Sequence, residues 1–156
     1  MLLALDNSLS CGWALGAGGE IAFGTRVFEG FSGNDARVGR RFRAWLDEMI
    51  DAKNPATIII ERPFLRGEVS WLLFGMAWES QRAAEARNIR CYDYSPQTIK
   101  KFLTGDGRAK KPDMVRAARA RGYNVNNDHE ADAIGLLLCH EARFSKPVDN
   151  PPPRLL

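Results

Sequence analysis

The chain has 156 residues, of which 45% are hydrophobic and 26% are charged, and its formal net charge is +3 at pH 7. This length and composition predict one globular domain with a single sizeable core. They argue against a membrane span, because no apolar run reaches the roughly 18 residues that a spanning helix needs. Residues 1–6 also lack the basic and long apolar stretches of a secretory signal, so we expect a cytoplasmic protein without a membrane partner.

The three cysteines point the same way. Cys11, Cys91 and Cys139 are odd in number and far apart in the sequence, and no two of them have the spacing of a metal site. This pattern is typical of reduced, buried cysteines in a cytosolic protein.

Three short strands are predicted at the start of the chain. Residues 2–5 form an apolar run that ends at Asp6, and residues 21–28 alternate in character after a glycine-rich turn at residues 16–19. We expect three antiparallel strands, of which the second and third form a hairpin.

The most informative stretch is residues 57–64. Three consecutive isoleucines after Thr57 predict a strand that is buried on both faces. Glu61 follows at once, and Pro63 cannot extend the strand. A carboxylate at the tip of a buried strand is costly to desolvate, so either a metal ion or an arginine should pair with it.

Helices are predicted on both sides of this strand. A helical stripe that includes Val38, Phe42 and Leu46 predicts one helix before it, with Ser32 or Asn34 as a possible N-cap. Residues 68–87 predict a second helix, whose apolar surface covers much of its circumference. That surface favours either a central core helix or a dimer interface, and it includes the stripe Trp71, Phe74 and Trp78.

The rest of the chain completes an α/β domain. Residues 89–94 predict a fifth strand, and Ser95-Pro96 is typical of a helix start. Another helix should begin at Pro112, and an apolar last helix should cover residues 128–144. This order predicts a three-layer domain, residues 1–145, whose mixed five-stranded sheet is flanked by helices. Its first and central strands would be neighbours, and residues 146–156 would form a proline-rich tail.

A basic segment precedes the last helix. Residues 95–121 hold eight basic and two acidic residues, a net charge of +6 in a chain whose total is +3. Such a concentration favours a nucleic-acid binder, although a solvated basic face is the alternative. The eight are Lys100, Lys101, Arg108, Lys110, Lys111, Arg116, Arg119 and Arg121.

Acidic residues mark a second kind of site. Asp6, Glu61 and Asp132 each end or interrupt an apolar element, and three converging acids would repel without a cation. Oxygen ligands of this kind suit Mg²⁺ or Mn²⁺, and two such ions can drive phosphodiester hydrolysis. Asp128 and His129 share helix faces with Asp132, although the helix dipole alone would favour an acid in the first turn. The set beside the basic segment indicates a nuclease.

Four segments, taken in chain order, carry a family likeness. They are residues 6–8 with 12–14, residues 58–61 with Phe64, residues 99–111, and residues 129–134. Together they resemble the motifs of the RuvC-type Holliday junction resolvases of the RNase H-like superfamily, and the compact length is similar to phage-type members.

The resemblance implies a homodimeric endonuclease that uses Mg²⁺ or Mn²⁺, with two ions per site and water as the nucleophile. It would nick opposed strands of a four-way DNA junction symmetrically, in recombination and repair, inside a bacterial cell or a phage-infected host. Phe64 would stack on an unpaired base, unless it caps the core. The implied metal ligands are Asp6, Glu61 and Asp132, and the implied DNA contacts are Lys100, Lys101, Arg108, Lys110 and Lys111.

One position departs from the family pattern. Many relatives carry aspartate where this chain has His129, which could ligate Mn²⁺ or act as a base on the attacking water. Asp128 is the alternative fourth ligand. Two other functions stay open: a nuclease of the same fold that cuts flaps, other branched DNAs or RNA–DNA hybrids, and a junction-binding module that does not cleave.

Overall fold

The computed structural model describes residues 1–17, 19–28, 35–63 and 70–144. Phe64, the possible caps Ser32 and Asn34, and the proline-rich tail lie outside these ranges. The elements are β1 (Leu2–Asp6), β2 (Ser10–Ala17), β3 (Glu20–Val27), α1 (Asp35–Lys53), β4 (Thr57–Glu61), α2 (Trp71–Glu85), β5 (Arg90–Tyr94), α3 (Pro96–Thr104), α4 (Lys111–Ala120) and α5 (Asp128–Phe144).

The five strands form one mixed sheet in the order β3-β2-β1-β4-β5. β2 pairs antiparallel with both β1 and β3, whereas β4 pairs parallel with both β1 and β5. The prediction that the first and central strands are neighbours is confirmed. The pairing of β2 with β3 extends further than predicted, because β2 reaches Ala17 and Ala17 pairs with Glu20.

Alternating side chains divide the core between the two faces of the sheet. Ala4 and Ile59 belong to a cluster with residues of α3, α4 and α5. Leu3, Ile58 and Ile60 belong to a second cluster with residues of α1 and α2. The three-layer prediction is therefore confirmed, and α5 packs on the sheet as its apolar sequence predicts.

Helix α2 buries one side only. Met76, Ala77 and Ser80 face the sheet and are buried, while Trp71 is 79% exposed and Trp78 66% exposed. This stripe lies on the surface of the chain, so the interpretation of α2 as a central core helix is wrong, and the dimer interface stays a prediction.

The cysteines and the length of the helices bear on two other expectations. All three cysteines are buried and unpaired, as their spacing indicates. Within the described ranges, none of the helices combines the length and the apolar character that crossing a membrane requires.

Candidate metal and nucleic-acid site

Two carboxylates leave neighbouring strands side by side. Leu5 of β1 is paired with Ile60 of β4, so Asp6 and Glu61 follow at the same edge of the sheet. Their side chains point to the α5 face, since Ala4 and Ile59 do so two residues earlier. The predicted convergence of these two acids is therefore present in the fold.

The chain beyond Glu61 is fixed to β5. The Arg62 amide donates to the Tyr94 carbonyl at 2.8 Å. The Arg62 guanidinium donates to both carboxylate oxygens of Asp93, at 2.7 and 2.5 Å. This bidentate pair shows that the arginine nearest to Glu61 is engaged by Asp93.

Helix α5 begins directly above the strand ends. The Nδ1 atom of His129 lies 2.9 Å from Asp6 Oδ2. Gly12, which faces Asp6 across β1 and β2, lies beneath the same turn of the helix. A Cβ at this glycine would lie 2.0 Å from the His129 carbonyl oxygen, so the close approach requires a residue without a side chain.

Burial and repulsion make Glu61 and Asp132 hold protons strongly. Burial and the negative charges of Asp6 and Asp132 together raise the pKa of Glu61 to about 8, while Lys100 opposes the shift. Burial and the negative charges of Asp6 and Asp128 together raise the pKa of Asp132 to about 7, against Lys100 and His129. A cation among the carboxylates of Asp6, Glu61 and Asp132 would oppose both shifts, because it stabilises the ionised forms.

His129 is held against Asp6 by a hydrogen bond. Its hydrogen bond to Asp6 raises the pKa of the imidazole above the usual range, although partial burial works against this. With Nδ1 turned toward Asp6, the second ring nitrogen, Nε2, is the atom left to ligate a metal or accept a proton.

Lys111 and Asp128 form an ion pair beside this set. Lys111 Nζ lies 2.5 Å from Asp128 Oδ2, and this hydrogen bond raises the pKa of the lysine. Burial acts to raise the pKa of Asp128, but the hydrogen bond from Lys111, a backbone hydrogen bond and the charges of His129 and Lys111 together outweigh it, and the pKa is lowered. Asp128, the alternative fourth ligand, is therefore held by Lys111, one of the implied DNA contacts.

Six of the eight basic residues in this segment separate into two groups. Lys101, Arg108 and Lys110 are exposed and form no ion pair within the described ranges. Three arginines instead stabilise the fold: Arg116 pairs with Asp113, Arg119 donates to the Val125 carbonyl and Arg121 to the Ala117 carbonyl. The group open to a ligand thus lies on α3 and the loop that leads to α4.

The predicted metal ligands lie near one another but do not form a complete coordination shell. In the parts of the chain that the structure describes, no three His, Cys, Asp or Glu side chains stand close enough to hold one metal ion. Their chemistry still fits a hard divalent cation, because partly buried carboxylates with raised pKa values act on one another here. Phe64, the predicted base-stacking residue, lies outside the described ranges.

A group of polar contacts between β3 and the start of α5 was missed from the sequence. Glu130 is 5% exposed and accepts a hydrogen bond from the Asn126 amide at 2.7 Å. Asn127 accepts from the Glu130 amide at 2.9 Å, and Thr25 contacts both side chains. The spacing Asn-x-x-Glu resembles a capping box and could have indicated these contacts.

The strand order, the layers and the acids at neighbouring strand ends define an RNase H-like α/β domain. Residues 32–140 match the family model described as "Crossover junction endodeoxyribonuclease RuvC". This match covers more than half of the chain, which therefore belongs to the RuvC family. Asp6 lies before the matched segment.

Curated relatives agree with this assignment. RuvC of Anaeromyxobacter sp. (strain Fw109-5) is 38% identical over 101 residues, covering 63% of this chain and 49% of the relative. RuvC of Anaeromyxobacter dehalogenans (strain 2CP-C) is 37% identical over 110 residues, covering 69% and 59%. The matches thus span about half to three fifths of the length of these relatives.

Solved structures share the fold. Thermus thermophilus RuvC in complex with a Holliday junction substrate matches with a TM-score of 0.74 at 20% identity, covering 92% of this chain and 94% of that one. The yeast mitochondrial Holliday junction resolvase Ydc2 matches with a TM-score of 0.56 at 13% identity, covering 88% and 76%. At these identities the likeness concerns the fold alone.

Replacing Gly12 with alanine should displace the start of α5. The new Cβ would clash with the His129 backbone, and overpacking of this kind costs about 1–3 kcal/mol. Urea unfolding should show this loss in Gly12→Ala. Gly39→Ala is the matched control, since a Cβ there meets nothing within 4 Å and alanine is the better helix former. Equal stability of the two variants would contradict the packing described here.

Proposed function

We propose that this chain is a metal-dependent endonuclease that resolves four-way DNA junctions by paired, symmetric nicks. One observation carries the proposal: Asp6 and Glu61 end neighbouring strands beneath Asp132 and His129 of α5. Membership of the RuvC family supports the substrate class. The exposed basic group on α3 and the following loop supports contact with a phosphate backbone.

The site suits Mg²⁺ or Mn²⁺, and we infer two ions. Asp6, Glu61 and Asp132 would hold them, with His129 or Asp128 as the further ligand. Bound there, such ions polarise the phosphate and supply a nucleophilic water at neutral pH. Raised pKa values of two buried carboxylates support the inference, because a divalent charge would stabilise their ionised forms.

The chain's own residues would orient the DNA and move the proton. Lys100, whose charge already acts on Glu61 and Asp132, would contact the scissile phosphate. Lys111 would join it on leaving Asp128 for the phosphate. If His129 is not a ligand, its Nε2 atom would accept the proton of the attacking water, and Asp6 would stabilise the imidazolium that forms.

Paired nicks on opposed strands require two sites, and α2 offers the surface for a second copy. Trp71, Phe74 and Trp78 form an exposed aromatic stripe on this helix. Aromatic side chains of this kind are enriched at the centres of protein interfaces. We infer a homodimer in which the α2 stripes of two copies face each other.

Removing either strand-end acid should abolish cleavage and leave junction binding intact. Asp6→Asn and Glu61→Gln keep shape but lose charge, and cleavage should fall by more than about a hundredfold. A labelled four-way junction, incubated with Mg²⁺ or Mn²⁺ separately, measures both properties. The control is Asp51→Asn, an exposed acid of α1 that pairs with Arg87, which should cut normally.

The same assay separates the competing functions. Duplex, flap and RNA–DNA hybrid substrates run beside the junction. Symmetric nicks in the junction alone support the resolvase, and a preference for Mn²⁺ supports His129 as a ligand. Equal cutting of flaps or hybrids would overturn the resolvase and favour a nuclease of broader specificity. Binding without any cut would replace it with a junction-binding module.

Junction affinity should depend on salt through the exposed lysines. Each phosphate contact that is lost lowers the slope of log K against log [salt] by about 0.9. Lys101→Ala and Lys110→Ala should therefore each flatten the slope when binding is titrated across ionic strength. Lys53→Ala, at the end of α1, is the control of equal charge change. Identical slopes for all three variants would show that the exposed basic group does not contact the DNA backbone.

Placing a charge in the α2 stripe should break the dimer. Trp78→Glu should weaken self-association by about 2 kcal/mol or more, some thirtyfold in Kd. Sedimentation would then report a monomer, and junction nicks would become unpaired. Val27→Glu, at a residue 47% exposed on β3, is the control. A dimer of undiminished stability in Trp78→Glu would place the interface elsewhere.

A further inference from the structure

Three paired strand positions form a row beneath the start of α5. Asp6 of β1 is in register with Gly12 of β2, and Gly12 is in register with Thr25 of β3. All three lie under the first turn of the helix: His129 contacts Asp6 through its ring and Gly12 through its backbone. Thr25 is the outer end of this row.

At Thr25 the helix is held by side-chain hydrogen bonds. Asn127 Nδ2 donates to Thr25 Oγ1 at 3.0 Å. The threonine hydroxyl in turn lies 3.2 Å from Asn127 Oδ1 and 3.5 Å from Glu130 Oε1. A hydroxyl that accepts from one partner and donates to the other ties β3 to both residues at once.

The other contacts of these residues fix the helix start itself. Asn127 Oδ1 accepts from the Glu130 amide at 2.9 Å and so caps α5. Glu130 Oε2 accepts from the Asn126 amide at 2.7 Å and from Asn126 Nδ2 at 3.3 Å. The carboxylate is buried and is satisfied by these neutral donors, which gives it a structural use that does not require a cation.

We propose that Thr25, Asn127 and Glu130 form a clasp that positions the first two turns of α5. The clasp touches neither the candidate ligands' oxygens nor the exposed basic group, so its members are positioning residues. It holds the helix at β3, while His129 meets Asp6 at β1, and two separated points of attachment fix the rotation of the helix as well as its place. Rotation decides whether Asp132 faces Glu61. The proposal rests on the proposed function for its effect on cleavage.

Thr25→Val and Thr25→Ser give a matched test, because the first keeps the shape and loses the hydroxyl while the second keeps the hydroxyl. In Thr25→Val we expect the kcat of junction cleavage to fall roughly tenfold, as for other residues that orient ligands, with junction KM unchanged. Thr25→Ser should restore kcat. Ile50→Val, in the core on the opposite face of the sheet, controls for a general loss of stability and should keep the wild-type kcat.

A second readout needs neither metal nor DNA. Amide hydrogen exchange at Glu130 and Ala131 should accelerate in Thr25→Val and stay unchanged in Thr25→Ser and Ile50→Val. Unchanged exchange in Thr25→Val would overturn the clasp, whether or not the junction is cut. A kcat in Thr25→Val equal to that of Ile50→Val would also overturn it. A wild-type chain that leaves the junction intact would overturn the proposed function alone, since exchange would still decide on the clasp.

Discussion

The electrostatic cost of placing three carboxylates together, away from water, governs this structure. A strand or helix tolerates a single acid near its end. Here Asp6, Glu61 and Asp132 come from three different elements and act on one another through a partly buried space. Their repulsion is only partly offset by Lys100 and by His129. The fold therefore holds an arrangement whose own electrostatics oppose it, and a divalent cation would relieve the conflict.

That arrangement depends on where one helix begins. The acids of β1 and β4 are set by strand pairing, which allows little freedom. Asp132 arrives on α5, whose place is set by packing at Gly12 and by polar contacts at its first turn. A shift of the helix by a fraction of a turn would separate its carboxylate from the other two without disturbing the sheet.

Much of this could be predicted from the sequence. The buried isoleucine strand, the short apolar strand that ends at Asp6 and the helical stripes fix the sheet and its layers, and parallel neighbours bring Asp6 and Glu61 to one edge. Local patterns do not encode which partner a long side chain finds. The Lys111–Asp128 pair depends on how the chain between α4 and α5 folds back. The hydrogen bonds of Glu130 to Asn126 and Thr25 likewise depend on that loop and on β3.

The outer face of α2 shows another limit of sequence reasoning. An aromatic stripe has the same composition whether a sheet or a second copy covers it, so Trp71 and Trp78 could not be assigned to either. In the structure the sheet does not cover this stripe, because the opposite side of α2 packs against the sheet. Hydrophobic periodicity does not tell which side of α2 faces the sheet, so the sequence alone could not decide between the two.

The Arg62–Asp93 pair has a mechanical consequence. It anchors the backbone to β5 one residue beyond Glu61, through an amide and a two-pronged ion pair. A force on the chain beyond Pro63 would therefore act on the contacts of Arg62 with β5 before it acted on Glu61. The position of the Glu61 carboxylate is thereby fixed by the sheet and does not depend on the segment that follows Pro63.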